Sequence, residues 1–490
     1  MRTAQPQPHP DRPDHPDRPD RPDRPDRPDH PDTPARGTRP GDASAHPPAR
    51  GPATLAVTAL ATALALMNYT APMLTLPAMA EAFGTPSSAQ AWLLNGTPLG
   101  LAALLLVAGA LADAHGRRRV FLLGTLALGV TTALGAFAGS TALFTAARIA
   151  QGAASAAILA GSLGLLADAY PSGRDRVRAT GVWGAAVSGG IALGPLLAGA
   201  LGLVDWRLAY VALGAAAVLT AAAGTRTLAR PAAEPRTAPA RPDLAGAATL
   251  APALGALLTA LTLGRDGWLR PVIGLLLLAS AALTALFLLV ERRVARPMID
   301  LGLLRRPEFR VSAVGALFTG LAVIGLFSVV PAMIQRGAGM APLVAAWLFV
   351  LWSGTSFVVA LQARRLSGRL SAPHQLAVGF VLSAAGVLAL LGALDSPDLP
   401  WPRLIAGLVV AGAGSGLLNA ALPRLAVDSV PPERAAMGSG ANNTARYIGS
   451  AAGVALMLAL SGSGPDAAVV ASAVLALAGA VLTVAGSPRR

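Results

Sequence analysis

The chain has 490 residues, of which 53% are hydrophobic and 13% charged, whereas soluble domains carry about 25% charged residues. This composition excludes an ordinary soluble domain and indicates a protein that crosses a membrane many times. The net charge of +14 comes from basic residues that are all arginine. They lie mostly between apolar runs, which favours membrane topology over nucleic-acid binding. Without cysteine or a histidine cluster in the sequence, we expect no metal and no cofactor.

Residues 1–50 carry a repeated Asp-Arg-Pro unit with almost no apolar side chains. Alternating charge and frequent proline favour a disordered, solvated tail, and a partner-binding arm is the alternative. The segment has no short apolar region of the kind found in secretory signals, so we expect no cleavage there.

Fourteen apolar runs follow the tail, each long enough to cross a bilayer as a helix of about 20 residues. Their predicted bounds are 53–77, 91–112, 120–139, 143–167, 180–203, 208–225, 246–263, 271–290, 311–334, 342–361, 375–394, 402–422, 441–461 and 467–486. Arginine-rich segments alternate with arginine-poor ones along this series, which predicts that both termini are cytoplasmic and that the number of spans is even. Twelve spans would require two re-entrant runs and would break this alternation.

The segment between the second and third runs carries the first functional pattern. Its candidate gating residues are Gly109, Asp113, Gly116, Arg117 and Arg118. Gly109 is expected to allow close helix approach, Gly116 to permit a turn, and the arginines to hold the loop on the cytoplasmic side. A plain cytoplasmic loop is the alternative, but it does not explain the spacing. The pattern resembles the signature loop of the major facilitator superfamily, although Ala114 stands where that family usually has a basic residue.

The fourth run contains Arg148 and Gln151. An arginine inside a membrane span is costly unless it is paired or faces water, which makes it a functional candidate. The pattern is similar to the superfamily's fourth-span motif, whose arginine is associated with proton coupling. A structural arginine held by backbone carbonyls or by Gln151 is the alternative.

The fifth run is rich in glycine, and its candidate residues are Gly181, Gly190, Gly194, Pro195 and Gly199. Proline removes a backbone donor, and glycines about one turn apart form a flat face for a neighbouring helix. The spacing resembles the fifth-span signature of exporters in the superfamily, with Ala198 replacing one glycine. The resemblance implies a tight interface that limits leakage.

The count of fourteen runs, Trp206 and Arg207 after the fifth run, and the segments 291–309 and 438–453 are similar to those of one family within the superfamily. On these features, residues 52–486 as a whole resemble the fourteen-span drug/proton antiporter family. The resemblance implies an all-α polytopic membrane protein with the major facilitator fold, which has two six-helix bundles around a central cavity and two inserted spans. The expected parts are a tail (1–50), a first bundle (51–225), a linker (226–245), the inserted spans (246–290), a cytoplasmic loop (291–310) and a second bundle (311–486).

The main departure from that family lies in the first run. Anchored on Thr70 and Pro77, the position of the family's carboxylate is occupied by Asn68, and an amide cannot titrate. No other Asp or Glu lies near the centre of a predicted span. The proton-coupling candidates are therefore Asp113, Arg148 and Gln151, with uniport or coupling to another ion as alternatives.

Polar and aromatic residues inside apolar runs give the candidate cavity residues. They are Asn68, Tyr69, Thr70, Asn95, Trp183 and Asn419. Each of them could instead serve ordinary helix packing. Because embedded charge is scarce, we expect a neutral or weakly cationic ligand.

These patterns together predict a monomeric multi-pass protein of the cell membrane that exports hydrophobic or amphiphilic small molecules by alternating access, in exchange for protons. A transporter of one specific metabolite and a non-transporting sensor on the same fold are the alternatives. An enzyme is not expected, since the sequence shows no nucleophile with a nearby base and no phosphate-binding loop. No nucleic-acid partner is expected.

Overall fold

The structure is a computed structural model that describes residues 51–170, 173–229, 243–264, 267, 269–294, 297, 301–363, 370–394, 400–431 and 435–487. The predicted tail and most of the predicted linker at 226–245 lie outside the described residues. No described residue belongs to a strand.

Fourteen helical spans occur within the described residues, and we number them in chain order. They are α1 Gly51–Ala82, α2 Gln90–His115, α3 Arg117–Ala136, α4 Thr141–Ala169, α5 Gly173–Leu201, α6 Arg207–Thr227, α7 Leu244–Leu263, α8 Pro271–Glu291, α9 Pro307–Gly337, α10 Pro342–Ala363, α11 Ala372–Leu388, α12 Trp401–Asp428, α13 Ala435–Ser461 and α14 Pro465–Ala485. Thirteen of these helices are long and apolar enough to cross a membrane, and α11 is apolar but shorter. The predicted all-α membrane fold is confirmed.

Local sequence signals explain several helix boundaries. Helix α2 ends at His115 and α3 begins at Arg117, and Gly116 between them has a φ of 96°, which favours glycine. The Ser140 side chain accepts a hydrogen bond from the backbone N–H of Leu143 and caps α4. Helices α8 and α9 carry proline in the first turn, where the missing N–H costs nothing.

The helices of each half of the chain pack mainly on one another. In the first half α1 packs against α5, α4 and α6, while α2 packs against α4 and α3 packs against α4 and α6. In the second half α11 packs against α12 and α14, while α10 packs against α12 and α13 packs against α9. Helices α7 and α8 pair with each other, and α7 also lies against α2 and α13. Most helix contacts thus fall within each half of the chain or within the pair of α7 and α8.

The two halves meet mainly along three helix pairs, α2 with α13, α5 with α10, and α1 with the last part of α9. Gln335 of α9 donates to the backbone oxygen of Leu74 in α1 at 3.1 Å. Arg336 donates to Gln90 Oε1 of α2 at 2.9 Å. Polar contacts therefore join the halves toward the end of α1.

Candidate functional site

A cavity lies between the two halves and takes its lining from α1, α5, α9, α10, α12 and α13. Aromatic rings form much of its wall, namely Tyr69, Phe327, Phe349, Trp352, Phe357 and Tyr447. The rings of Phe327 and Trp352 stack with centroids 4.2 Å apart and planes 9° apart. Phe349 meets Trp352 edge-on at 5.2 Å. Such a wall suits a ligand with an apolar, planar body.

Hydroxyl and amide groups alternate with these rings. They come from Thr70, Ser188, Thr319, Ser328, Ser353, Ser356, Ser415 and Asn419. Asn419 donates to Ser356 Oγ at 3.3 Å, and Thr70 donates to the backbone oxygen of Leu66 at 3.0 Å. The cavity therefore combines apolar surface with a limited set of hydrogen-bonding groups, as small-molecule sites usually do.

Three of the six predicted cavity residues, Tyr69, Thr70 and Asn419, line this cavity. The hydroxyl group of Tyr69 in α1 is hydrogen-bonded to Ser450 Oγ in α13 at 2.8 Å. The ring of Tyr69 also meets the ring of Tyr447 at 5.9 Å. Tyr69 thus joins the first half of the chain to the second at the cavity wall.

The other three predicted cavity residues do not line the cavity. Asn95 donates to the backbone oxygen of Ala451 at 3.0 Å, and Trp183 Nε1 is within 3.0 Å of both Thr62 Oγ1 and Ser162 Oγ. Asn68 is buried behind the wall. The prediction misplaced these residues because a polar side chain in a span can be satisfied by a neighbouring helix, and the sequence does not tell which face it occupies.

Arg148 is fully buried in α4 and is the centre of a hydrogen-bond network. Its Nη1 donates to Asn68 Oδ1 at 2.7 Å, to the Asn68 backbone oxygen at 2.8 Å and to Gln151 Oε1 at 2.9 Å. Its Nη2 lies 3.4 Å from the backbone oxygen of Tyr69. This arrangement corresponds to the alternative interpretation of Arg148, a structural arginine held by backbone carbonyls and by Gln151. It fixes α1 against α4 next to the cavity-lining Tyr69.

Asn68 completes this network as a neutral group. Its Oδ1 accepts from Arg148, while its Nδ2 donates to Thr132 Oγ1 in α3 at 2.7 Å. The opposite amide orientation would place an NH₂ group against the guanidinium, so the hydrogen bonds determine this one. Every described hydrogen-bond partner of the Arg148 side chain is therefore uncharged.

Asp113 does not join this network. Its backbone lies near the end of α2, and its side chain falls outside the described residues. Arg148 packs at the level of Gly96, and with a rise of 1.5 Å per residue Asp113 is about 25 Å further along α2. The structure thus brings Arg148 and Gln151 together and leaves Asp113 apart from them.

The arginines after Gly116 bind the ends of neighbouring helices. Arg117 forms an ion pair with Asp168 at 2.8 Å, at the end of α4. Arg118 donates to the backbone oxygens of Thr225 at 2.8 Å and Leu228 at 3.3 Å, at the end of α6. Cations at helix C-termini are favourable because they satisfy free carbonyls and complement the helix dipole.

Gly109 was expected to allow close helix approach. A Cβ atom built there would have no neighbour within 4 Å among the described residues. Gly116 does have the positive φ that a turn requires.

The ion pair between Arg117 and Asp168 gives a prediction of small effect. Both side chains are partly exposed, at 38% and 61%, and exposed pairs contribute about 0–1 kcal/mol. We expect Asp168→Asn to leave the melting temperature of the purified protein and its transport rate nearly unchanged. A complete loss of transport in a well-folded variant would show that this pair does more than hold the loop.

The glycine face of α5 packs on the backbone of α1. A Cβ atom at Gly194 would lie 2.6 Å from the Met67 backbone oxygen, and one at Gly190 would lie 2.9 Å from Leu66 Cβ. Pro195 follows within the same helix, and a Cβ at Gly199 would approach Leu74 Cδ2 at 3.0 Å. Gly181 differs, since a Cβ there would meet nothing within 4 Å. The close approach therefore covers Gly190 to Gly199 and excludes Gly181.

Sequence reasoning missed Arg446, which lies in the span of α13 and lines the cavity. The signal was available in the sequence, because the cost of an arginine within a span applies to Arg446 as it does to Arg148.

Sequence reasoning also missed the π-helical turn Thr319–Ile324 in α9. Both ends of that turn line the cavity, and π turns often occur at functional sites.

A membrane-spanning helical protein with a mixed apolar and polar cavity between two halves has the architecture of a transporter. The sequence matches the family model described as Major Facilitator Superfamily over residues 58–454 and again over 312–490. The chain belongs to the major facilitator superfamily. It is a multi-pass membrane transporter of small molecules and not an enzyme.

Relatives with similar sequences carry names of resistance and export proteins. The chain is 32% identical over 425 residues to the puromycin resistance protein pur8 of Streptomyces alboniger, covering 85% of this chain and 83% of that protein. It is 30% identical over 409 residues to the multidrug resistance protein Stp of Mycobacterium tuberculosis, covering 82% and 74%. It is 31% identical over 434 residues to a probable actinorhodin transporter of Streptomyces coelicolor, covering 85% and 74%.

Solved transporter structures share the fold. A mutant of the peptide transporter POT in complex with sulfate aligns with a TM-score of 0.67 at 17% identity, covering 91% of this chain and 95% of that one. A bacterial homologue of the human lysosomal transporter Spinster aligns with a TM-score of 0.64 at 17% identity, covering 89% and 96%. At these identities the likeness concerns the fold alone.

Proposed function

We propose that this protein exports hydrophobic or amphiphilic drug-like molecules across the cell membrane by alternating access. The observation that carries the proposal is the cavity between the halves, whose wall combines six aromatic rings with hydroxyl groups. The names of the relatives, which include two resistance proteins and a probable actinorhodin transporter, support the outward direction. In this mechanism one bundle rocks against the other, and the glycine face of α5 keeps α1 and α5 in close contact within the first bundle.

Accumulation of fluorescent dyes in a bacterial host that lacks its own efflux pumps tests this proposal. Cells producing the protein are expected to retain less of at least one amphiphilic dye than cells producing Ser356→Trp. Ser356 is buried at the cavity wall, so the indole fills the space that a ligand would use. Equal dye retention in both strains, with equal amounts of protein in the membrane, would favour a non-transporting sensor.

We further propose that export is exchanged for protons. The network of Arg148, Gln151 and Asn68 supports a role in coupling because it connects α1 to α4 beside the cavity. Asp113 is the titratable candidate, and the separation along α2 requires it to act through helix movement and not by contact. Reconstituted vesicles with an internal pH dye measure this directly, since an antiporter changes the internal pH only when substrate is supplied.

A uniporter is the second candidate, and the neutral surroundings of Arg148 favour it. A buried carboxylate that binds and releases protons is the usual relay, and Asn68 occupies its place. Substrate movement in the same vesicles without any pH change would select the uniporter over the antiporter.

Asn68→Asp adds a titratable group to this network. Thr132 and Arg148 can both donate to a carboxylate at this position. Because the variant carries one titratable group that the unmodified protein lacks, we expect the pH profile of its transport to gain one titration step. The control is Asn68→Ala, which removes the amide without adding an acid, and identical pH profiles for the two variants would contradict the prediction.

We also propose that the protein is a monomer. We further propose that both termini lie in the cytoplasm, as the arginine distribution favours. The chain has no cysteine, so a single Cys introduced at Ser487 reports on topology. A membrane-impermeant thiol reagent should label it only in opened cells. Labelling in intact cells would show that the C-terminus faces the outside of the cell, which contradicts the proposed orientation.

A further inference from the structure

We propose that the central cavity selects aromatic molecules that carry an acidic group, a carboxylate or a phenolate, and that Arg446 binds this group. This inference rests on the proposed export function and names its substrate class. It replaces the expectation of a neutral or weakly cationic ligand, which arose because Arg446 was overlooked.

Arg446 is the only charged residue among the described residues that line the cavity. Its Nη2 donates to Asn443 Oδ1 at 3.0 Å, and its guanidinium lies 5.5 Å from the centre of the Tyr447 ring. Both partners are neutral, and no carboxylate oxygen described by the structure lies within ion-pair distance of it. A cation embedded in a membrane span is costly unless an anion or water compensates it.

The positive charge at this site is reinforced from the other half of the chain. Arg148 holds the backbone of Asn68 and Tyr69, and the Tyr69 ring packs on the Tyr447 ring next to Arg446. Two guanidinium groups therefore flank Tyr69 with only neutral described hydrogen-bond partners. In surroundings of low dielectric, this arrangement attracts anions and repels cations.

The unpaired polar groups at the cavity are donors. The Trp352 side chain lines the cavity and is more than nine-tenths buried, and its Nε1–H has no hydrogen-bond partner among the described residues. The Nε–H of Arg446 is likewise buried and unpaired. Buried donors without acceptors carry a desolvation cost, which a ligand rich in acceptors removes.

The apolar part of the ligand follows from the wall. Phe327 and Trp352 present stacked rings, and Phe349 meets them edge-on. Flat aromatic bodies match such surfaces in shape and dispersion. An aromatic anion thus satisfies the guanidinium, the free donors and the rings together.

The test uses two dyes that share the xanthene ring system and differ in charge, fluorescein as the anion and rhodamine 123 as the cation. Fluorescence anisotropy with the purified protein measures binding, and proteoliposomes measure transport. We expect fluorescein to bind about tenfold more tightly than rhodamine 123. Arg446→Gln should remove this preference, and Arg446→Lys should retain part of it. Arg424→Gln should leave it unchanged, because Arg424 does not line the cavity and pairs with Asp428 near the end of α12.

The inference would be overturned if rhodamine 123 bound as tightly as fluorescein. It would also be overturned if Arg446→Gln weakened the binding of both dyes equally while the melting temperature of the protein stayed unchanged. If rhodamine 123 or neutral dyes are transported while fluorescein is not, the export function stands and the substrate class is wrong. Selective fluorescein binding without transport of any dye would support the anion site and contradict the export function.

Discussion

Gly194→Ala is expected to reduce transport by about tenfold or more while the protein still inserts into the membrane. The added Cβ would fall on Thr70 Oγ1 and lie 2.6 Å from the Met67 backbone oxygen, and a backbone atom cannot rotate away. Helices α1 and α5 must then separate, and Thr70 at the cavity wall moves with α1. Gly194→Leu should have a larger effect of the same kind. The measurement is dye transport per amount of membrane protein.

Gly181→Ala is the matched control for this prediction. It makes the same chemical change in the same helix, but the added Cβ meets nothing within 4 Å. It should transport like the unmodified protein. Equal rates for Gly194→Ala and Gly181→Ala would remove the mechanical role assigned to the contact between α1 and α5.

Arg148→Met should also abolish most transport. The change leaves Asn68 Oδ1 and Gln151 Oε1 without their donor, and unsatisfied buried groups cost about 1–3 kcal/mol each. Removing an uncompensated buried charge offsets part of that cost. We therefore expect a variant that is moderately less stable but folded, in which α1 is no longer fixed to α4 and Tyr69 loses its position. Transport in proteoliposomes and the melting temperature in detergent are measured together.

Arg148→Lys separates charge from geometry. Lysine keeps the positive charge, but its single ammonium cannot reproduce the planar arrangement of guanidinium donors. If the network positions α1 as described, the transport rate of Arg148→Lys should be closer to that of Arg148→Met than to that of the unmodified protein. Full activity of Arg148→Lys would show that charge alone is what Arg148 supplies.

The fold was largely predictable because membranes limit the possible structures. Only a helix satisfies all its backbone groups within a single apolar run. Each of the fourteen predicted runs corresponds to a helix, and thirteen of these helices are long and apolar enough to cross a membrane. Tertiary contacts were less accessible. The π turn Thr319–Ile324 in α9 accompanies close packing of Gly320 on the α13 backbone, and no local propensity in the sequence indicates such a turn.

The site was predictable only in part. Tyr69, Thr70 and Asn419 line the cavity as expected, whereas Asn68, Asn95 and Trp183 are satisfied by other helices. A polar side chain in a span indicates that a hydrogen-bond partner exists. Which helix supplies that partner depends on how each helix is rotated about its axis, and the apolar sequences of the helices do not determine this rotation. Arg446 was accessible in principle, since charge within a span has few structural uses.

We propose that small molecules cross the membrane through the cavity between the two halves. Transport in three kinds of proteoliposome tests this route most directly. They contain the unmodified protein, Ser356→Trp or Leu477→Trp, and each kind is supplied with anionic, neutral and cationic dyes. Leu477 is an exposed residue of α14, so its variant adds an indole away from the cavity. We predict dye movement with the unmodified protein and with Leu477→Trp, and none with Ser356→Trp. Equal movement in all three preparations, or none in any of them with folded protein, would contradict the account.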